Sequence, residues 1–169
     1  MWKIYRTFYL NVAFLLTFVM SYSVSTSWSA EPALFFQDGK GLYDTLQSVA
    51  PGNSIEVAYD ILGTLDGQES NALIWHHLID REVRAVFCIA VSKEDTIEVS
   101  SYIEYFKTKQ LALDRYFALR KDLSLILSPP MQEIPEAISF WNTGDLTLTL
   151  VVGIPNGEDF SLGIVLKDL

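Results

Sequence analysis

The chain has 169 residues, of which half are hydrophobic and 20% are charged. This composition is too apolar for a disordered chain, and a single cysteine excludes a disulfide-stabilised miniprotein. The net charge of -9 argues against nucleic-acid binding, because contact with a phosphate backbone needs a surplus of lysine and arginine.

The N-terminal residues have the pattern of a secretory signal peptide. Lys3 and Arg6 supply positive charge, residues 8–20 are almost entirely apolar, and small polar residues then dominate up to Ser29. We predict that residues 1–29 are a signal peptide and that the remainder is exported to the periplasm or secreted.

Two alternatives to this cleavage remain open. Cleavage after Ala30 would place the bulky Trp28 where a small side chain is needed. The segment could also stay uncleaved as an anchor, since residues 7–28 carry no charge and are long enough to span a bilayer. Any membrane contact is expected only through such an uncleaved segment.

Residues 30–169 are predicted to form a single domain. A chain of this length buries enough surface to have a core without disulfides or metals. Lys3 and Arg6 are the only charges before Glu31, so residues 31–169 hold 10 basic and 21 acidic residues, a net charge of -11.

The first predicted elements of this domain are a short helix and a strand. Leu42, Leu46 and Val49 lie at helical spacing and predict a helix over residues 41–49. Residues 55–61 alternate between apolar and polar, which predicts a half-buried strand.

The next apolar run predicts a central strand. From Val83 to Val91, apolar residues occupy both alternating positions, so both faces of this strand should be covered. Cys88 lies within it and is expected to be a buried, inert thiol. It cannot form an intrachain disulfide, because the chain has no second cysteine.

A long helix is predicted next. Ser92 is followed three residues later by Asp95, a spacing that is typical of a capping box. Apolar residues then keep helical spacing, which predicts a helix near residues 93–120. The β-branched residues at its start favour strand instead, so the helix could begin later.

The C-terminal residues are predicted to be mostly extended. Residues 123–127 alternate before two prolines, and residues 145–152 alternate again. Asn156-Gly157 then provides a turn signal before the apolar residues 160–166, which predicts an antiparallel hairpin. The predicted fold class is α+β, an antiparallel sheet with a C-terminal hairpin packed by one long and one short helix. An all-β sandwich is the alternative.

The histidines are the first candidates for chemistry. His76 and His77 precede Asp80, and on a helix His76 and Asp80 would share one face. On a strand the two histidines would point to opposite faces. No second ligand cluster completes a zinc site, so no metal, cofactor or catalytic residue is predicted.

The charge distribution suggests a binding surface instead. Residues 103–121 carry five basic and two acidic side chains, against the acidic balance of the whole domain. Tyrosine is common in protein contacts. The predicted binding residues on this helix are Tyr102, Tyr105, Lys107, Lys109, Arg115, Tyr116 and Arg120.

These observations favour a non-catalytic, exported protein-interaction domain of the accessory, inhibitor or immunity type. Its partner is expected to be a protein of the envelope or the extracellular space. The alternatives are a small metal-dependent hydrolase centred on His76, His77 and Asp80, and a carrier of an apolar small ligand.

Overall fold

Eight antiparallel strands form one sheet in the computed structural model, which describes Phe36 and residues 38–78, 84–156 and 159–169. The strands are β1 (Gly67–Glu69), β2 (Ala72–Leu78), β3 (Arg84–Val91), β4 (Ile97–Phe106), β5 (Gln132–Ile134), β6 (Ile138–Thr143), β7 (Leu146–Asn156) and β8 (Asp159–Asp168). The described helices are α1 (Gly39–Ser48), α2 (Ile55–Leu62) and α3 (Lys109–Leu127).

The sheet consists of two four-stranded meanders that meet at its centre. The strand order is β1-β2-β3-β4-β8-β7-β6-β5, and α3 connects the two meanders in sequence. β4 pairs with β8 over eight residue pairs, from Val99 with Lys167 to Phe106 with Phe160. The last strand of each meander is therefore central, and the first strand of each, β1 or β5, forms an edge.

Helix α1 confirms the first predicted helix. Asp38 is its N-cap and accepts a hydrogen bond from the backbone N–H of Gly41 at 2.8 Å. Helix α1 packs closely against α3 at Gly39, whose N–H donates to Asp122 Oδ2 at 2.9 Å. A Cβ at position 39 would lie 2.7 Å from the Cβ of Asp122, so only glycine allows this approach.

Helix α2 corrects the prediction of a strand at residues 55–61. Ser54 caps the N-terminus by accepting from the N–H of Glu56, and Gly63 ends the helix with a φ of 78°. Ile55, Ala58 and Leu62 are buried at helical spacing. The sequence alternates with period two as well, so periodicity alone could not separate the two structures.

The segment predicted as one long helix divides into a turn, a strand and a helix. Ser92 does not cap a helix, because its Oγ accepts from the N–H groups of Glu94 and Thr96 in the β3–β4 turn. Strand β4 follows, and α3 begins after its N-cap Thr108. The β-branched residues at 96–99 thus mark a strand rather than a late helix start.

Helix α3 also continues past the predicted helix end. Residues 123–127 were predicted to be extended but form its last turns. Leu123 is fully buried whereas Leu125 is 79% exposed, which fits one apolar stripe of a helix. The helix ends at Ser128, which has a φ of 75°, just before Pro129 and Pro130.

The three helices cover one face of the sheet, and the main core lies between them. Strand residues in this core alternate with residues that point to the other face, as in Phe87 and Ile89 of β3. Helix α3 contributes Ala112, Tyr116, Leu119 and Leu123. Among the described residues, those of this core run from Phe36 to Leu166.

The α+β prediction is confirmed, and the all-β sandwich is wrong, since helices and a single sheet make up the described residues. The internal strand β3 and the C-terminal hairpin of β7 and β8 are present as predicted. The structure describes two short helices where one was predicted. No helix in the described residues is long and apolar enough to cross a membrane. The predicted signal peptide lies outside the described residues.

Candidate functional site

The residues predicted to form one binding surface lie on different elements. Tyr102 and Tyr105 are in β4, and Lys107 lies in the connection to α3. The prediction that these residues share the surface of one helix at residues 93–120 is therefore wrong. The other four residues are in α3: Lys109, Arg115, Tyr116 and Arg120.

Arg115 binds inward, to a carboxylate on the sheet. Its Nε is 2.9 Å from Oε2 of Glu104, which is only 2% exposed, and its Nη2 donates to the carbonyl of Phe36 at 2.6 Å. Burial alone would lower the pKa of Arg115, but the hydrogen bonds and charge of Glu104 outweigh it and raise that pKa. The arginine thus joins α3, β4 and the start of the domain.

The other aromatic and cationic residues are also mostly engaged within the fold. Tyr116 is buried, and its hydroxyl shares a 2.7 Å hydrogen bond with Ser139. Arg120 Nη2 lies 2.6 Å from a carboxylate oxygen of Glu133. Tyr102 is 1% exposed, and burial raises its pKa, with the charge of Glu104 adding to the effect. These side chains support the fold and leave little of the predicted surface.

Lys107 and Lys109 are exposed, and Tyr105 is half-buried. Tyr105 belongs to the sheet face that points away from the helices, since it alternates with Glu104 and Phe106. The predicted residues that remain accessible therefore do not share one surface.

The histidines lie on strand β2. The backbone N–H of His76 donates to Oδ2 of Asp66 at 2.6 Å, and the same oxygen is 4.0 Å from Nδ1. Asp80 lies outside the described residues, as does the side chain of His77. Among Phe36, residues 38–78 and the later described ranges, no group of three potential metal ligands is found.

The sheet face that points away from the helices has an apolar centre. We call this face the second face and define its centre by seven apolar side chains that are 1% to 7% exposed and are not part of the main core. They lie on five adjacent strands, β2, β3, β4, β8 and β7. They are Ala72, Ile74, Val86, Cys88, Ile103, Val151 and Val165.

The strand register arranges this centre in rows across the sheet. In one row, Val86 pairs with Ile103, and Gly163 with Val151. In the next row, Cys88 pairs with Ser101, and Ser101 pairs in turn with Val165. Rows of this kind form a continuous apolar surface of small side chains.

The polar residues of the second face are small and buried. Ser101 is fully buried, and its Oγ donates to the carbonyl of Cys88 at 3.0 Å. Thr149 and Ser161 are each 2% exposed. In the part of the chain that the structure describes, Ser161 Oγ has no hydrogen-bond partner.

Comparisons with family models, curated proteins and solved structures find no match. The functional interpretation therefore depends on the geometry of the second face. The sequence predicted only one part of the second face, namely that β3 is covered on both sides. The same signal was present in the C-terminal hairpin but was not used. There, Val151 with Val152 and Val165 with Leu166 are consecutive apolar residues, which point to opposite faces of the sheet.

Cys88 is the only titratable group in the apolar centre. Burial raises the pKa of its thiol from 9.0 to about 11, and a hydrogen bond from Ser101 offsets part of this. The thiol is thus protonated at neutral pH, which makes it a poor nucleophile. The Cys88 thiol can therefore serve as a chemical probe of the second face, but it is not suited to catalysis.

Proposed function

We propose that the chain is an exported, non-catalytic binding domain whose second face holds an apolar segment of a basic partner protein. The observation that supports the proposal is the apolar centre of the second face. Three helices cover the opposite face, whereas none of the described helices packs on this one. The signal-peptide pattern supports export of the domain.

The apolar centre has the composition of a contact surface. The cores of protein interfaces are depleted of charged residues and surrounded by polar ones. Here, apolar and small polar side chains fill the centre, and Lys167 and Asn142 lie in a row at its border.

The charge of the domain favours a basic partner. Residues 31–169 carry a net charge of -11, which attracts a cationic protein and accelerates its association. The same charge opposes a face-to-face dimer, because two acidic copies would repel each other. A basic segment with one apolar side would complement both the negative charge of the domain and the apolar centre of the second face.

Synthetic peptides test this combination of properties directly. The probe is an 18-residue amphipathic peptide of leucine and lysine, and its matched control replaces every lysine with glutamate. We expect residues 30–169 to bind the leucine–lysine peptide in isothermal titration calorimetry, more weakly as salt rises. Binding to neither peptide, or to both equally, would contradict the proposal.

A pair of substitutions locates the binding site. Val165→Lys places a charge in the apolar centre, whereas Leu125→Lys places the same charge on α3 at a side chain that is 79% exposed. We expect the first to weaken peptide binding at least about tenfold, as the loss of one interface anchor does. Equal affinities for the two variants would move the site away from the second face.

A further inference from the structure

We infer that the second face has a depression along β8 that binds a phenol group, and that a tyrosine of the partner segment supplies this group. The inference rests on the proposed function, because it names the side chain by which the partner is anchored. We call the depression the β8 notch and define it by Gly153, Ser161 and Gly163.

Three small residues form the floor of the β8 notch. On β8, Leu162 and Ile164 belong to the core beneath the helices, so Ser161 and Gly163 lie on the second face. On β7, Gly153 pairs with Ser161 and so continues the floor. A glycine inside a strand weakens the strand and often marks the close approach of a ligand or another backbone. Two glycines beside one serine therefore make this the lowest part of the second face.

Larger side chains stand on both sides of the β8 notch. Gly163 pairs with Ile103 on β4 and with Val151 on β7. Ser161 pairs with the half-buried Tyr105 on β4. The strands on the two sides of β8 are about 10 Å apart, which leaves room for one flat ring with contacts of about 3.5–4 Å on each side. The notch therefore has apolar walls and the width of a single aromatic ring.

One hydroxyl of the β8 notch is unpaired among the described residues. Ser161 is 2% exposed, and within the described ranges its Oγ has no hydrogen-bond partner. By contrast, Ser101, which is also buried on this face, donates to the carbonyl of Cys88. Buried hydroxyls are usually paired, and an unpaired one in a native structure points to a missing partner. Ser161 thus offers one hydrogen bond to a group that enters the notch.

A neutral aromatic side chain with a single hydroxyl complements the β8 notch. A charged group would lose its hydration, and the walls described above offer no charge in return. A carboxamide has up to four hydrogen-bonding sites, of which Ser161 can pair only one. A phenol has an apolar ring for Ile103 and Val151 and one hydroxyl for Ser161. Ser161 and Gly163 are about 7 Å apart along β8, so a ring above Gly163 can direct its hydroxyl towards Ser161.

Two small probes test the β8 notch without a peptide. Residues 30–169 include the described core from Phe36 to Leu166. This chain is titrated with p-cresol and with toluene, which lacks the hydroxyl, and the methyl groups of Ile103 and Val151 are followed by NMR. We expect p-cresol to shift both sets of methyl signals and to bind about two- to tenfold more tightly than toluene, as one neutral hydrogen bond contributes. Equal affinities, or no shift with either probe, would overturn the inference.

Two substitutions test the floor and the hydroxyl separately. Gly163→Val fills the notch with a residue that favours strands, and we expect it to weaken p-cresol binding at least about tenfold. The control, Gly67→Val, adds the same side chain on β1, where no described atom lies within 4 Å of an added Cβ, and should leave binding unchanged. Ser161→Ala removes only the hydroxyl, so p-cresol and toluene should then bind equally, which keeps the test valid where the valine variant does not fold. A preference for p-cresol that survives Ser161→Ala would contradict the inference.

Peptides test tyrosine as the source of the phenol. Each leucine of the leucine–lysine peptide is replaced in turn by tyrosine or, as the control, by phenylalanine. At the position that enters the notch, we expect the tyrosine peptide to bind about two- to tenfold more tightly than the phenylalanine peptide. This preference should disappear in Ser161→Ala. Tyrosine and phenylalanine peptides that bind equally at every position would exclude a tyrosine anchor.

The two proposals fail in different ways. If the leucine–lysine peptide binds but p-cresol and toluene do not differ, the second face holds an apolar segment without a tyrosine anchor, and this inference is wrong. If p-cresol binds as expected but no peptide does, the phenol site is supported, and the proposed function is wrong together with the protein source of the phenol.

Discussion

The two faces of the sheet differ in what they bury. Among the described residues, the buried aromatic side chains, such as Trp75, Trp141 and Tyr116, belong to the helix-covered face. In the apolar centre of the second face, no side chain is larger than isoleucine. Large interlocking side chains fix one arrangement of helices and strands, whereas a smooth surface of small ones can accept a layer from elsewhere. The comparison assigns the stability of the fold mainly to one face and leaves the other for the contact that we propose.

The largest expected effect concerns the buried ion pair of the helix-covered face. Arg115→Met would leave the Glu104 carboxylate buried without its partner. We expect the free energy of unfolding to fall by about 3–5 kcal/mol, as measured by urea denaturation at neutral pH. This variant would weaken the face that is assigned to stability without altering the second face.

The double variant Arg115→Met with Glu104→Met is the control for this prediction. Replacing both members of a buried pair with apolar side chains is often close to neutral, so most of the lost stability should return. A double variant as unstable as the single one would show that Arg115 acts mainly through the carbonyl of Phe36.

A matched pair of isoleucines compares the faces directly. Ile164 on the helix-covered face and Ile103 on the second face lie on neighbouring strands and are each 1% exposed. In residues 30–169, Ile164→Ala should cost about 2–5 kcal/mol, since it leaves a cavity in the core. Ile103→Ala should cost less, about 2 kcal/mol, because the small side chains of the second face can close around the deleted atoms more readily than the large ones of the core.

Urea denaturation of the two variants measures both costs. Equal costs of the two substitutions in residues 30–169 would remove the distinction between the faces.

The sequence predicted elements well where two signals agreed. In the C-terminal hairpin, alternation and an Asn-Gly turn both pointed to paired strands, which the structure confirms. At residues 55–61 the only signal used was the alternation of apolar and polar residues, which predicted a strand. The segment is a helix, with Ser54 as its N-cap and Gly63 as its C-cap. At residues 96–106, helical spacing and β-branched residues conflicted, and the strand propensity was correct.

The candidate site was harder to predict because it depends on pairing between distant strands. The basic residues of 103–121 were read as one surface, but Arg115 pairs with a glutamate on the preceding strand. No local pattern places Ile74 beside Cys88 or Ser101 beside Val165. Only the strand register brings these residues together, so the second face could not be read from any single segment.

The smallest expected effect is the alkaline response of Cys88 on the second face. Its pKa is raised to about 11 in the folded chain from an ordinary value of 9.0. Unfolding therefore releases the thiol proton between these values, so this contribution to stability is complete below pH 9 and is lost as the pH rises towards 11. We expect the free energy of unfolding to fall by about 1–2 kcal/mol between pH 8 and pH 10.5 relative to Cys88→Ala.

The Cys88→Ala variant is the control for this prediction. Subtracting its profile removes the contributions of the tyrosines and lysines that titrate in the same range. Profiles that coincide between pH 8 and pH 10.5 would contradict the prediction, because they would show that the thiol keeps its ordinary pKa in the folded chain, as a hydrated thiol does.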